Sequence, residues 1–245
     1  MARQASAKRP EVAIVLGTYN RLEMLKNSLE SIRQAVKKSP YRIVVIDGGS
    51  TDGTLEYLQN EDVVLIKQKE LTGAVRAFNL GFGWAVDAQY PFVMHMNDDA
   101  IIETPGAIDE AIDLMLVNSK IGAVAFAFDT WGHHHFDHVN GVPYVNYGVI
   151  RTKAGIQVAK RQGDPDGKRW WSQLYHTYAA DTEFGAWLWK LGWRVYCCEH
   201  LKVHDLRADD ALRAGNSGDR RDADSKLFWS RWENENLEQF LEKNR

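Results

Sequence analysis

The chain has 245 residues, enough for one large α/β domain or two small ones. An apolar share of 44% and a charged share of 26% are ordinary globular values and support a core of normal size. A net charge of −3 gives no broad electrostatic case for binding nucleic acid or an anionic membrane.

The opening MARQASAKRP is basic, but no apolar core follows it, so residues 1–10 read as a flexible lead-in and not as a secretory signal. No apolar run reaches the ~18–20 residues of a transmembrane helix. Strand and helix signals then alternate, which predicts βαβ units and a mainly parallel sheet. VAIVLG (12–17) is a β-branched apolar strand. Leu22, Leu25, Leu29 and Ile32 form the stripe of a helix behind it. YRIVVID (41–47) is a second strand ending on an acid, and GGSTDGT turns into a short helix. VVLIKQ (63–68) is a strand, 72–86 a glycine-containing helix, and PFVMHM (91–96) a fourth strand. Thr104 is expected to cap a helix with Pro105 at its first position and Ile108, Ile112, Met115 and Leu116 on its buried stripe. GAVAFAF (122–128) is a fifth strand. Over 129–170 the periodicity fails, and loops with short strands are expected. A helix returns at 182–191, closed by Gly192, and WRVYCC (193–198) is a further strand. Residues 205–225 read as a charged, mobile segment and 226–243 as a final amphipathic helix. Cys197 and Cys198 are neighbours on a strand, point to opposite faces and cannot pair, so a reduced, cytoplasmic setting fits.

In parallel α/β sheets, ligands bind beyond the carboxyl ends of the strands. Thr18, Tyr19 and Asn20 follow the first strand, Asp47 ends the second, and Asn97, Asp98 and Asp99 end the fourth. Adjacent carboxylates repel and are costly to desolvate. A hard divalent cation such as Mg2+ or Mn2+ would remove that repulsion. The plainer reading is that one acid caps a turn while the other is solvated.

VAIVLGTYNR, IVVIDGGSTDGT, MNDDA and DTEFGAWLWKLGWRV followed by VHDL, in this order and spacing, resemble the successive motifs of family 2 glycosyltransferases of the GT-A fold. The resemblance spans roughly 11–235, and LFWSRW (227–232) resembles a late element of that family with Arg231 where Lys is usual. It implies one GT-A domain over 11–245, a twisted and mostly parallel mixed sheet flanked by helices, with a nucleotide half to about residue 100 and an acceptor half beyond it. Tyr19 would pack on the nucleobase with Thr18 and Asn20 near it. Asp47 matches the first acid of the second-strand motif, whose following acid is Gly48 here, which leaves the choice of base open. Asp98 would contact ribose or donor sugar. Asp99 and His204 would hold Mn2+ or Mg2+ on the diphosphate, and Arg76 would meet the diphosphate. Asp181 matches the catalytic base, in a motif where Ala180 replaces Glu and Glu183 is kept. The resemblance thus implies inverting transfer of a sugar from a nucleotide-diphospho-sugar, UDP-linked for preference, to a hydroxyl of a glycan, lipid-linked glycan, small molecule or modified base.

Other readings of the same residues stand beside it. An Asp at this place also suits the start of the helix at 182. Trp170 and Trp171, with Glu183, are candidate acceptor contacts, although ordinary packing explains the tryptophans equally well. His133, His134, His135 and His138 match no standard zinc spacing and read as a polar loop. GDPDGKR (163–169) reads as a turn that would make a closing loop mobile. Two rival functions remain: a nucleotidyltransferase, opposed by the lack of a Gly-rich basic loop after the first strand, and a non-catalytic sugar- or nucleotide-binding homologue, favoured by Asn97 and Ala180.

Overall fold

A computed structural model of the chain describes residues 9, 11–129, 132–207 and 210–243. Of the lead-in expected over 1–10, all but Arg9 lies outside them. The first half alternates as its apolar periods predict: β1 (Val12–Thr18), α1 (Leu22–Ala35), β2 (Tyr41–Asp47), α2 (Thr54–Leu58), β3 (Val64–Lys67), α3 (Ala74–Asp87) and β4 (Phe92–Asn97). These strands lie in the order β3-β2-β1-β4, all parallel. The winding reverses at β1, whose neighbours are β2 and β4, so the loops after β1 and β4 open onto one crevice.

The second half adds β5 (Ala100–Ile102), α4 (Ala107–Val117), β6 (Ile121–Asp129), β7 (His134–His135), β8 (His138–Val139), β9 (Val142–Pro143) and β10 (Gly148–Arg151). Then come α5 (Thr152–Arg161), α6 (Ala180–Lys190), β11 (Arg194–Asp205), α7 (Ala211–Asn216), α8 (Asp219–Trp232) and α9 (Gln239–Lys243). β10 inserts between β4 and β6, antiparallel to both. β11 continues the sheet parallel to β6, and β5 closes its edge antiparallel to β11. Alternation along β1 fills both faces: Val12, Ile14 and Leu16 pack with α1 and α4, while Ala13 and Val15 pack with α3, α5 and α6.

Several boundaries differ from expectation, each for a local reason. The segment 129–170 holds a central strand, β10, and a ten-residue helix, α5. β10 is too short to show a period, and α5 turns only small residues and Val158 to the core, with Gly155 against Trp170. Thr104 does not cap α4. Gly106, at φ 75, precedes that helix, and the Thr104 hydroxyl donates to the His200 carbonyl (2.8 Å) and accepts from the Lys202 amide (3.0 Å). Leu116, expected on the buried stripe, is exposed. β11 outruns 193–198 because a bulge between Cys198 and Lys202 lets it resume pairing with β6 up to Asp205. The segment expected to be mobile carries α7 and the first half of α8, and 226–243 is split between α8 and α9. The GDPDGKR turn is pinned: Asp164 accepts from the Lys168 amide (2.8 Å), the Arg169 amide (2.7 Å) and the Arg169 guanidinium (2.8 Å).

Gly148 begins β10 at φ +152, and a Cβ there would lie 2.0 Å from the Val124 carbonyl oxygen, backbone that cannot swing aside. Gly148→Ala is expected to cost about 1–3 kcal/mol, as overpacking does, seen as a lower urea midpoint with an unchanged slope.

Candidate active site

The strand ends converge on a cleft of about 790 Å³, within the size range of small-molecule sites. It is lined from the ends of β1 and β4, by Tyr144, Tyr147, Asp181 and Asp205, and from α7 and α8. The loops that form it are tightly held. The Asn20 amide donates to Ser50 Oγ (2.9 Å), and its side-chain oxygen accepts from the Thr51 amide (2.7 Å). Asp47 is fully buried, and its Oδ2 accepts from the Gly49 and Ser50 amides (2.9 and 3.1 Å). Asp52 Oδ2 accepts from the Leu22 amide at the start of α1 (3.0 Å), so the second-strand loop caps the first helix. Asn20 and Asp47 therefore shape the loops and are not among the residues lining the cleft.

What balances Asp98 and Asp99 is an arginine the sequence reading passed over. The Arg21 guanidinium, directly after Asn20, lies 2.8 Å from Asp98 Oδ1, 3.3 Å from Asp99 Oδ2 and 2.7 Å from Asp210 Oδ2. Arg213 on α7 reaches Asp99 Oδ2 as well, at 3.3 Å. Burial works to lower the Arg21 pKa, but the Asp210 hydrogen bond and the Asp98 and Asp99 charges outweigh it and hold the guanidinium protonated. Burial pushes the Asp98 carboxyl up to about 6, against the pull of Arg21 and with the Asp99 charge adding to the rise. Thr18 and Asp98 are buried side by side in the cleft, and the Thr18 hydroxyl works against the rise of the Asp98 carboxyl. Buried His95, also in the lining, is pushed down to about 4 by desolvation and is neutral.

β11 decides which of its two last residues joins this group. His204 pairs with Ile101 and Asp205 with Ala100, so their side chains leave opposite faces. His204 turns to Asp129 (Nδ1 to Oδ2, 3.6 Å) and does not line the cleft, whereas Asp205 does, accepting from the Tyr147 hydroxyl (3.0 Å). Burial raises the Asp205 carboxyl, and the nearby Asp99 charge raises it further. Asp205, and not the expected His204, lines the cleft with Asp99.

Asp181 lies in the first turn of α6. The helix is preceded by Ala179 at φ 62 with no side-chain cap, so Asp181 is not the capping residue. Its Oδ1 accepts from the Thr182 amide (2.8 Å), and the side chain lines the cleft. Burial pushes its carboxyl up to about 6, and the Asp137 carboxylate adds to the rise. The loop that delivers it is gripped from α8: Asp224 accepts from the amides of His176 (3.0 Å), Thr177 (2.9 Å) and Tyr178 (2.8 Å). Asp224→Ala strips three successive donors of their acceptor and is expected to cost about 1–3 kcal/mol in thermal or urea unfolding.

The remaining candidates separate. Thr18, Tyr19, Asp98, Asp99, Trp171 and Asp181 line one cleft. Arg76 is exposed on α3 and is not in the lining. Trp170 is fully buried, stacked between Phe82 (4.7 Å) and Phe184 (6.2 Å). Glu183 is fully buried behind the site and bound to Arg231, so it touches no acceptor. His134 bonds Glu103 (2.7 Å), whereas His135 packs against Phe128 and lines the cleft, with no convergent metal set among the described residues there. Trp229, unremarked in the sequence, lines the cleft and is 45% exposed.

Residues 13–148 match the family model Glycosyl transferase family 2. No curated protein matches the chain. Among solved structures, residues 1–349 of S. aureus TarS in complex with UDP-GlcNAc superpose with a TM-score of 0.68 at 14% identity, over 96% of this chain and 71% of that one. The mannosyltransferase PcManGT from Pyrobaculum calidifontis, in complex with GDP-Man and Mn2+, gives 0.61 at 16% identity, over 85% of this chain and 60% of that one. Longer S. aureus TarS gives 0.62 at 15% identity, over 96% of this chain and 42% of that one. The chain thus spans about 60% of the mannosyltransferase and less than half of the longer TarS, and at these identities the likeness is one of fold.

Proposed function

The chain belongs to glycosyl transferase family 2 and has the GT-A fold, and from that premise we propose that it moves a sugar from a nucleotide-diphospho-sugar to a hydroxyl acceptor with inversion at the anomeric carbon. The observation that carries this reading is the Asp181 carboxylate standing in the same cleft as Asp98 and Asp99. Asp181 takes the proton of the acceptor hydroxyl as its oxygen attacks the anomeric carbon and the bond to the diphosphate breaks on the opposite face. Tyr19 and Thr18 hold the nucleoside end, and Asp98 Oδ2 accepts from a hydroxyl of ribose or sugar. Trp229, not buried Trp170, is the aromatic available to stack on an acceptor ring.

The oxygen donors fit a divalent metal: Asp99 and Asp205 line the same cleft, close enough for the Asp99 charge to raise the Asp205 carboxyl. Bound there, Mn2+ or Mg2+ would neutralise charge on the leaving diphosphate. Arg21 and Arg213 already sit against those carboxylates and are placed to meet the phosphates. The donor reading favours uridine, the nucleoside of the sugar donor on one neighbour, and keeps guanosine, that of another. No helix among the described residues is long and apolar enough to cross a membrane, and both cysteines are free. A cytoplasmic setting remains part of the proposal.

Thermal unfolding with UDP, GDP and dTDP, each with and without Mn2+, tests the donor site. A nucleotide at roughly a hundredfold its dissociation constant adds ~2.7 kcal/mol, or roughly 5–10 °C at this chain length. The expected result is a metal-dependent rise with one nucleotide, lost in Asp99→Ala. No rise with any nucleotide would overturn the donor-site reading, and a rise without product release would favour the non-catalytic homologue. Released nucleoside diphosphate supports transfer, while released pyrophosphate would support the nucleotidyltransferase.

A further inference from the structure

The bulge in β11 brings together three groups that the cleft does not use. Cys198 is the last residue before the bulge, His200 sits within it, and Glu110 projects from α4. Their ligand atoms all lie within 4.8 Å of one another, and none of the three lines the cleft. Cys198 is buried while Glu110 and His200 are exposed, so the group has an apolar floor and an open mouth.

The distances suit a tetrahedral ion. Thiolate and imidazole ligands at about 2.3 and 2.1 Å, set at the tetrahedral angle, stand about 3.5 Å apart. Cys198 Sγ lies 3.6 Å from His200 Nδ1 and 3.8 Å from Nε2, so either nitrogen is in range. Glu110 Oε1 now hydrogen-bonds His200 Nε2 at 2.5 Å, and a shared ion would widen that gap by about 1 Å, within reach of an exposed side chain. The bulge itself is fixed from outside by Thr104, whose hydroxyl bridges the His200 carbonyl and the Lys202 amide. The His200 backbone is therefore held before any ion arrives.

We propose that Glu110, Cys198 and His200 form a second cation site, separate from the cleft, for a borderline-soft divalent ion of the Zn2+ type with water in the fourth position. Sulfur and imidazole donors select against Mg2+ and Mn2+, the ions suited to the oxygen-rich cleft. Binding expels the Cys198 proton into solvent and ties β11 to α4 across the bulge.

The test is equilibrium dialysis of the full chain against Zn2+, with Co2+ as a spectroscopic probe. One ion per chain is expected in Asp99→Ala, which lacks the cleft's metal ligand, with a thiolate-to-cobalt charge-transfer band. Both should vanish when Cys198→Ser or His200→Ala is added to Asp99→Ala, and the band should persist in the parent. Glu110→Gln should weaken zinc at least by the roughly 10–100-fold that even outer ligand contacts are worth. His200 is exposed, so His200→Ala keeps its fold, which circular dichroism checks. No zinc retained, a cobalt band that survives Cys198→Ser, or binding lost only in Asp99→Ala would overturn the proposal.

Discussion

Asp181→Asn is expected to lower kcat by roughly 10²–10⁴ while leaving donor binding intact, because it removes proton acceptance and little else. The asparagine keeps an oxygen for the Thr182 amide, so the first turn of α6 is preserved. In the parent, kcat/KM should rise with pH through about 6 and flatten above it, since burial lifts the Asp181 carboxyl to about 6 from 3.8 and only the ionised form accepts a proton. The same shift has the opposite sign for stability. The folded carboxyl holds its proton more tightly than the unfolded one, so the native state gains below about pH 4 and loses that gain as pH rises through about 6. At pH 7 the ionised side chain is a net cost, and Asp181→Asn should melt higher than the parent. A variant that melts lower, or one that keeps the parent's kcat, would assign Asp181 a role in folding and not in proton transfer.

The second large effect lies behind the site. Glu183 is fully buried, and its Oε1 accepts from Arg231 Nη2 (2.7 Å), Arg231 Nε (3.1 Å) and Trp232 Nε1 (3.1 Å). This is the join between α6, which carries Asp181, and α8, which carries Asp224. Arg231→Leu leaves a buried carboxylate without its countercharge and is expected to cost about 3–5 kcal/mol, roughly 6–20 °C in melting temperature. Arg231→Leu combined with Glu183→Gln removes both charges and should recover a large part of the loss. Equal destabilisation in the single and double variants would mean that Arg231 acts by packing alone. The Arg in place of the family's usual Lys is consistent with this geometry, because two of its nitrogens bind one oxygen from the side.

Residue chemistry alone reached the parallel half of the sheet, where each strand is a short apolar run and the helices after β1 and β3 carry apolar stripes. It expected short strands over 129–170 without placing β10 at the centre of the sheet, four residues being too few to show a period, and it missed α5, which meets Trp170 with Gly155 and alanines. It began α8 seven residues late, at 226, because that helix buries Asp224, Phe228 and Trp232, a regular stripe whose first member is an acid. Within the site, Thr18, Tyr19, Asp98, Asp99 and Asp181 were legible from where strands end and from the family resemblance. The choice between His204 and Asp205 was not, since it turns on the parity of a strand whose bulge cannot be counted from sequence. Arg21 carried a usable signal: two adjacent acids after β4 need a cation, and the loop after β1 is their neighbour in any sheet that winds this way.

The place of β10 has a consequence for synthesis. β4 exposes one apolar edge until residues 148–151 slot in against it, and β6 cannot join the sheet before then. A ribosome adding about 5–20 residues per second leaves that edge unpaired for several seconds after β4 emerges. Through that interval FVMHM is an open template for another nascent chain. The yield of folded protein should therefore depend on holdase chaperones and on growth temperature more steeply than the stability of the finished molecule would suggest.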